Sequence, residues 1–148
     1  MSLEPLNILL ADDDIDDCGF FKEAVFELPF AANLTEVHDG EQLMRLLNDE
    51  KNEVPHILFL DLNMPRKNGF ECLAEIKLND RLRHLVVILF STSFDQGVVD
   101  RLFANGAQHF IRKPSEFMQF KKIIQKTLTQ ETMKNIPKLT RDTFVITA

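Results

Sequence analysis

The residues best suited to chemistry are the consecutive acids Asp12 to Asp14, which directly follow the short apolar run Leu6 to Ala11. A second apolar run, Ile57 to Leu60, is followed at once by Asp61. Carboxylates gathered at one place repel one another unless a cation lies between them, and a donor set made only of oxygen favours a hard ion such as Mg²⁺. The pattern therefore predicts a magnesium site, provided that the fold brings the two segments together.

Two further apolar runs end in polar residues of a different kind. Val86 to Phe90 is followed by Ser91, and His109 to Ile111 is followed, one residue later, by Lys113. An ammonium and a hydroxyl beside a cation and a carboxylate can bind the oxygens of a phosphoryl group, whose negative charge is spread over several atoms. Phosphoryl transfer is the reaction class that this combination indicates.

Each of these residues, taken alone, also has an ordinary structural explanation. Asp14 could cap a helix that begins near Ile15, and Asp61 could cap a turn. Ser91 could be a buried hydroxyl bonded to the backbone, and Lys113 could be a solvated surface amine. Unrelated capping does not account for acids, a hydroxyl and an amine at four separate strand ends, so the joint pattern favours the functional interpretation.

Five short apolar segments, of which Leu34 to Val37 is the weakest, alternate with segments in which apolar residues recur at helical spacing. Nearly all-apolar strands between amphipathic helices are typical of a parallel sheet that is buried on both faces. We predict an α/β fold with a doubly wound five-stranded parallel sheet and helices on both faces. In such a sheet the strands' carboxyl ends border a common crevice.

Local signals place the boundaries of the helices. The pairs Asp39-Gly40 and Asn68-Gly69 predict helix starts, and Gly106 predicts the end of a helix. The chain has 148 residues, enough for one sizeable core, and we expect a domain over residues 4–130. Residues 131–148 form a tail without a separate output domain. Its apolar patch, Phe144 to Ile146, could pack on the domain, mediate dimerisation or remain free.

Charge and composition exclude several function classes. The formal net charge of -6 and the scattered Lys and Arg residues provide no basic stripe, which argues against direct nucleic-acid binding. No segment is long and apolar enough to cross a bilayer, so we expect a cytoplasmic protein without membrane insertion. Cys18 and Cys72 are too far apart for a metal clip and indicate reduced thiols.

These residues resemble the receiver domains of two-component response regulators over roughly Leu6 to Leu128. The similar segments are ILLADDD at 8–14, VHDGE at 37–41, DLNMPRKNG at 61–69 and the stretch from Gly106 to Pro114. The phosphoacceptor segment is most similar to that of small single-domain regulators of the phytochrome-partner type.

The resemblance implies a flavodoxin-like fold with strand order 2-1-3-4-5. It also implies a role for each site residue. Asp61 would be the carboxylate nucleophile that becomes an aspartyl phosphate. Asp13 and Asp61 would ligate Mg²⁺ directly, the backbone carbonyl of Asn63 would add a third ligand, and Asp12 would act through metal-bound water. Lys113 would neutralise one phosphoryl oxygen.

The resemblance also implies a switch and partners. Ser91 would bond another phosphoryl oxygen and vacate space that Phe110 could enter, and the Lys113-Pro114 bond would be cis. The phosphoryl donor would be a sensor histidine kinase or a phosphotransfer protein, and a downstream protein target would read the switch. Homodimer formation stays open.

The main rival is an enzyme, a haloacid-dehalogenase-like phosphohydrolase, which also uses an aspartate nucleophile and Mg²⁺ at the edge of a parallel sheet. That class normally needs a second acid two residues after the nucleophile, where this sequence has Asn63. A degenerate receiver that acts only as a binding module usually lacks one of the acids or the lysine, and here all are present. No GxxxxGK segment supports a nucleotide triphosphatase.

Overall fold

The computed structural model describes residues 5–133 and 144–146, in which five helices and six strands alternate over most of the chain. The strands are β1 (Leu6–Ala11), β2 (Ala32–Val37), β3 (Ile57–Asp61), β4 (Val86–Ser91), β5 (His109–Arg112) and β6 (Val145–Ile146). The helices are α1 (Ile15–Phe26), α2 (Gly40–Asn48), α3 (Gly69–Lys77), α4 (Gln96–Ala104) and α5 (Phe117–Met133). None of the helices in these ranges has the length and apolar content that a bilayer crossing requires.

The strands form one sheet in the order β2-β1-β3-β4-β5-β6, and all neighbouring pairs are parallel. The predicted order 2-1-3-4-5 is confirmed for the five strands that the sequence indicated. The sixth strand extends the sheet, because Val145 pairs with Phe110 and Ile146 pairs with Ile111. Two residues are too few for a periodicity to mark a strand, so the sequence left the packing of this segment open.

Helices cover both faces of the sheet, as predicted. Adjacent residues of a strand point to opposite faces, so Leu9 packs in the core beneath α2, α3 and α4, whereas Ile8 packs in the core beneath α1 and α5. The central strand β3 is buried along its whole length. In β3 and β4, which are buried along most of their length, the polar side chains lie at the carboxyl ends, Asp61 and Ser91.

Short-range caps fix where the helices begin. Asp14 caps α1 by accepting a hydrogen bond from the backbone N–H of Asp17, and Asp39 caps α2 in the same way. Asn68 caps α3 in a capping box with Glu71. Each such cap stabilises its helix by about 1 kcal/mol. The predicted helix starts are therefore confirmed.

The bond between Lys113 and Pro114 differs from the expectation. The described residues contain no cis peptide bond, so the expected cis form is wrong for this structure. The trans form is the lower-energy isomer of an X-Pro bond by about 0.5–1 kcal/mol, and nothing in the sequence of this loop forces the other isomer. Gly106, by contrast, has φ +90° after the end of α4, as its predicted role at a helix end requires.

Candidate functional site

The carboxyl ends of β1 and β3 bring three acids together. The strands are parallel neighbours, with Ala11 beside Leu60, so Asp12 and Asp61 lie at the same edge of the sheet. Asp12, Asp13 and Asp61 each offer a carboxylate oxygen, and these oxygens lie within 4.8 Å of one another. Asp12 and Asp61 are buried, whereas Asp13 is exposed. Asp14, the remaining acid of the run, instead caps α1.

Asp12 is held in place from several sides. Its Oδ1 accepts a hydrogen bond from the backbone N–H of Asp14 at 2.9 Å. Its backbone carbonyl accepts one from the Cys18 thiol at 3.5 Å and lies 3.1 Å from Nδ1 of His38. Burial raises the pKa of the Cys18 thiol to about 12, so Cys18 acts here as a hydrogen-bond donor and not as a nucleophile.

Lys113 extends from the end of β5 into this acidic group. Its Nζ donates to Asp17 Oδ2 at 2.8 Å and to Asp12 Oδ2 at 2.9 Å, and it lies 3.7 Å from Asp61 Oδ2. The Lys113 side chain is only 6% exposed. Burial by itself would lower the pKa of Lys113, but the negative charge of Asp12 and the hydrogen bond to Asp17 outweigh it and hold the pKa above its usual value.

For the Asp61 carboxyl, burial outweighs the neighbouring positive charge. Burial raises its pKa to about 7, and the positive charge of Lys113 offsets only part of this effect, while the nearby Asp12 carboxylate adds to it. The backbone N–H of Asn63 donates to Asp61 Oδ1 at 3.2 Å. The positive charge of Lys113 therefore compensates only part of the negative charge of these acids. Three carboxylates that supply only oxygen ligands and carry excess negative charge fit a hard divalent cation.

Ser91 lies at the carboxyl end of β4, the strand next to Asp61, and is 1% exposed. Its hydroxyl accepts a hydrogen bond from the Asn63 side-chain amide at 3.2 Å and lies 3.3 Å from the hydroxyl of Ser93. The acids Asp12 and Asp61, the Ser91 hydroxyl and the Lys113 amine thus lie at the ends of four different strands and meet at one edge of the sheet. This is a suitable set of groups for binding a phosphoryl group on Asp61.

Residues 8–125 match the family described as the response regulator receiver domain. The chain belongs to the response-regulator receiver family. Response regulator Rcp1 of Synechocystis sp. is 29% identical to this receiver over 125 residues, which cover 82% of this chain and 85% of the relative. The probable methanogenesis regulatory protein FilR2 of Methanothrix harundinacea is 27% identical over 125 residues, with 82% and 81% covered.

Solved structures give the same result. The phosphorylated cyanobacterial phytochrome response regulator RcpA superposes on the receiver with a TM-score of 0.84 at 25% identity, covering 92% of this chain and all of the other. The Mn²⁺-bound form of Rcp1 superposes with a TM-score of 0.81 at 26% identity and the same coverage. The family match selects a signalling receiver over the haloacid-dehalogenase-like alternative.

Phe110, the expected switch residue, is fully buried on β5 of the receiver, 1% exposed. Its ring meets the ring of Phe94 edge to face, with centroids 6.0 Å apart. Phe94 lies between β4 and α4 and is 40% exposed. An exchange of positions between Ser91 and Phe110 stays a prediction, since the structure describes one state.

The loop after Asp61 passes unusually close to the start of α3. The backbone N–H of Gly69 donates to the carbonyl of Leu62 at 2.9 Å. A Cβ at residue 69 would lie 2.8 Å from Cα of Leu62 and 2.9 Å from the carbonyl oxygen of Asp61, closer than real Cβ atoms come. Only glycine therefore lets this loop of the receiver close against Asp61.

Asp17 is the site residue that sequence reasoning missed. It lies in the first turn of α1, and its carboxylate makes the shortest contact of Lys113. The available signal was its position, since Asp17 lies three residues after the cap Asp14, in the first helical turn after the acidic run. That signal was weak, because an acid in the first turn of a helix is common without any site nearby.

Proposed function

We propose that this receiver accepts a phosphoryl group on Asp61 from a sensor histidine kinase or a phosphotransfer protein, in a Mg²⁺-dependent reaction that changes binding to a downstream protein target. One observation carries the proposal: the carboxylates of Asp12, Asp13 and Asp61 meet at one strand edge together with the ammonium of Lys113. The family supplies the signalling context.

The acids fit the ion that the proposal needs. We assign Asp13, Asp61 and the backbone carbonyl of Asn63 as direct ligands, with Asp12 acting through water. When bound, Mg²⁺ supplies positive charge that neutralises the phosphoryl oxygens and the acceptor carboxylate. The relative Rcp1 has been solved in a Mn²⁺-bound form, and the binding of a divalent ion by that receiver supports the assignment.

Within the chain itself, Asp61 performs the bond-making step. An ionised carboxylate oxygen of Asp61 attacks phosphorus, the bond between phosphorus and the donor's leaving group breaks, and an aspartyl phosphate forms. Lys113 donates a hydrogen bond to one phosphoryl oxygen, and the Ser91 hydroxyl donates to another. The absence of an acid at residue 63, where a phosphohydrolase places one, leaves no ready general acid two residues from the acceptor.

The change in binding to a protein target is proposed to follow from movements of Ser91 and Phe110. When Ser91 turns toward the phosphoryl group, its hydrogen bond from Asn63 is lost and the packing around Phe110 and Phe94 changes. This alters the surface formed by α4 and β5, where a protein target would bind. A cytoplasmic location, the absence of direct nucleic-acid binding and homodimer formation stay predictions.

Covalent labelling tests the proposal. The protein is incubated with acetyl phosphate with and without Mg²⁺, and intact mass is recorded for the wild type, Asp61→Asn and the matched control Asp80→Asn, whose site is exposed and remote in sequence. We expect one phosphoryl group per wild-type or Asp80→Asn chain, only with Mg²⁺, and none on Asp61→Asn. Labelling of Asp61→Asn at the wild-type rate, or no labelling of the wild type, would contradict the proposal. The second result would favour a receiver that works only as a binding module.

A further inference from the structure

The Lys113 ammonium is not centred on the acceptor carboxylate. It donates to Asp17 at 2.8 Å and to Asp12 at 2.9 Å, whereas the 3.7 Å to Asp61 exceeds hydrogen-bond length. The ring of Phe90, 4.5 Å from Nζ, packs against the same ammonium. In this state Lys113 is therefore drawn toward the α1 side of the site.

Asp17 is well placed to hold it there. Its backbone N–H donates to the Asp14 cap at 3.1 Å, which fixes the first turn of α1 beneath the side chain. The Asp17 side chain is 20% exposed and that of Lys113 is 6% exposed. Because the pair is mostly shielded from water, its attraction is screened less than that of a surface ion pair.

Asp17 also has no place in the proposed ion site. It is absent from the group of acids whose oxygens lie within 4.8 Å of one another. Lys113 and a divalent ion together carry three positive charges, which balance Asp12, Asp13 and Asp61. Asp17 is a fourth acid, and its contact with Lys113 is its only side-chain hydrogen bond among the described residues. Lys113 is therefore the group through which the hydrogen bond of Asp17 can act on the site.

We propose that Asp17 is a positioning residue. Its hydrogen bond holds the Lys113 ammonium away from Asp61 in the unphosphorylated receiver, and this bond weakens or breaks when Asp61 is phosphorylated. This inference rests on the proposed function. Movement of Nζ into hydrogen-bond range of a phosphoryl group on Asp61 weakens or breaks the bond to Asp17. The intact Asp17 bond thus favours the unphosphorylated state and links α1 to the state of the acceptor.

Fluoroberyllate, a non-transferable mimic of the phosphoryl group, tests this in the full chain with saturating Mg²⁺. Binding is measured by calorimetry and by ¹⁹F NMR for the wild type, Asp17→Asn, Asp17→Glu and Asp16→Asn. Asp16 is exposed on the same turn, so the last variant removes the same charge without touching Lys113. The free energy of unfolding of each variant is measured alongside.

We expect Asp17→Asn to bind fluoroberyllate about three- to tenfold more tightly, since a mostly shielded charged hydrogen bond no longer has to be given up. Asp16→Asn should bind as the wild type does, and Asp17→Glu should restore most of the wild-type affinity. In a Lys113→Met background, Asp17→Asn should produce no gain. Asp17→Asn should not raise the free energy of unfolding, so tighter binding would not reflect a more stable protein.

Several results would overturn the inference. They are weaker or unchanged binding by Asp17→Asn, an equal gain in Asp16→Asn, or a gain that persists without Lys113. If the bond between Asp17 and Lys113 served only to hold α1 against β5, Asp17→Asn would show weaker or unchanged binding together with a lower free energy of unfolding. The proposed function fails separately, if wild type binds no fluoroberyllate or if Asp61→Asn binds it equally well.

Discussion

Lys113 and Asp61 lie side by side without a hydrogen bond, with Nζ 3.7 Å from Oδ2, although both side chains are less than a tenth exposed. The lysine is shared among three carboxylates and gives its two hydrogen bonds to the other two. Burial raises the pKa of the Asp61 carboxyl to about 7, and the positive charge of Lys113 offsets only part of this effect.

Replacing Asp61 should therefore stabilise the metal-free protein. A carboxyl whose pKa is higher in the folded than in the unfolded state favours folding when protonated, and that contribution is lost as the pH rises from about 4 through about 7. We expect Asp61→Asn to raise the free energy of unfolding by about 1–3 kcal/mol at pH 8 without divalent ions.

The pH dependence checks the cause. The gain should shrink toward zero as the pH falls below about 4, where the carboxyl becomes protonated in both states. Denaturant unfolding of the wild type and Asp61→Asn across this range measures it, with Asp80→Asn as the matched control. A gain that is the same at every pH would show that ionisation of Asp61 is not the source.

Binding of a divalent ion should depend on pH for the same reason. The ion competes with a proton at Asp61, so the affinity for Mg²⁺ should rise between pH 6 and pH 8, by at most about tenfold per pH unit below the pKa. Calorimetric titration with Mg²⁺ in the absence of phosphoryl donors measures this. Asp13→Asn should lose most of the affinity and Asp16→Asn little. Retention of full affinity by Asp13→Asn would remove Asp13 from the ligand set.

Gly69 should tolerate no side chain. A Cβ there would lie 2.8 Å from Cα of Leu62, and neither backbone segment can move without displacing the loop that follows Asp61. We expect Gly69→Ala to destabilise the protein by about 1–3 kcal/mol and to weaken Mg²⁺ binding.

Gly19 provides the matched control for this substitution. It lies inside α1, and nothing is within 4 Å of where its Cβ would be. Gly19→Ala should therefore stabilise the protein by about 1 kcal/mol through helix propensity alone. Thermal and denaturant unfolding of both variants measures the contrast. Equal effects of the two substitutions would refute the close approach at residue 69.

Phe144 should contribute substantially to stability, although it is close to the end of the chain. It is fully buried, its ring lies edge to face with that of Phe103 at 5.2 Å, and its carbonyl lies 3.1 Å from Nδ1 of His109. We expect Phe144→Ala to cost about 3 kcal/mol, the low end for a buried Phe, because the short strand β6 can detach from β5 instead of leaving a cavity.

The exposed Phe26 is the matched control, since its side chain is 88% exposed. Phe26→Ala should change the free energy of unfolding by less than about 0.5 kcal/mol. Hydrogen exchange of the β5 amides should accelerate in Phe144→Ala, because β6 pairs with that strand. Unchanged stability and exchange would show that the segment does not pack on the domain in solution.

Strong local patterns explain which elements were predictable. β3 is apolar from Ile57 to Leu60 and buried along its length, so its place in a parallel sheet followed from composition alone. The starts of α2 and α3 followed from Asp39 and Asn68, because capping depends on neighbours only a few residues away. β6 was not predictable, because Val145 and Ile146 become a strand only through pairing with β5.

The sequence by itself determined the parallel sheet and the kinds of group at the strand ends, because apolar periodicity acts through local spacing and general packing rules. The strand order came from the family resemblance, since local spacing does not say which strands are neighbours. Only the tertiary structure decided how the charges divide, with Lys113 bonded to Asp12 and Asp17 and not to Asp61. The distances from Nζ of Lys113 to the three carboxylates differ by about 1 Å or less, and these differences decide which of them accepts a hydrogen bond. Electrostatic energy in a shielded site depends on such distances, and sequence spacing does not contain them.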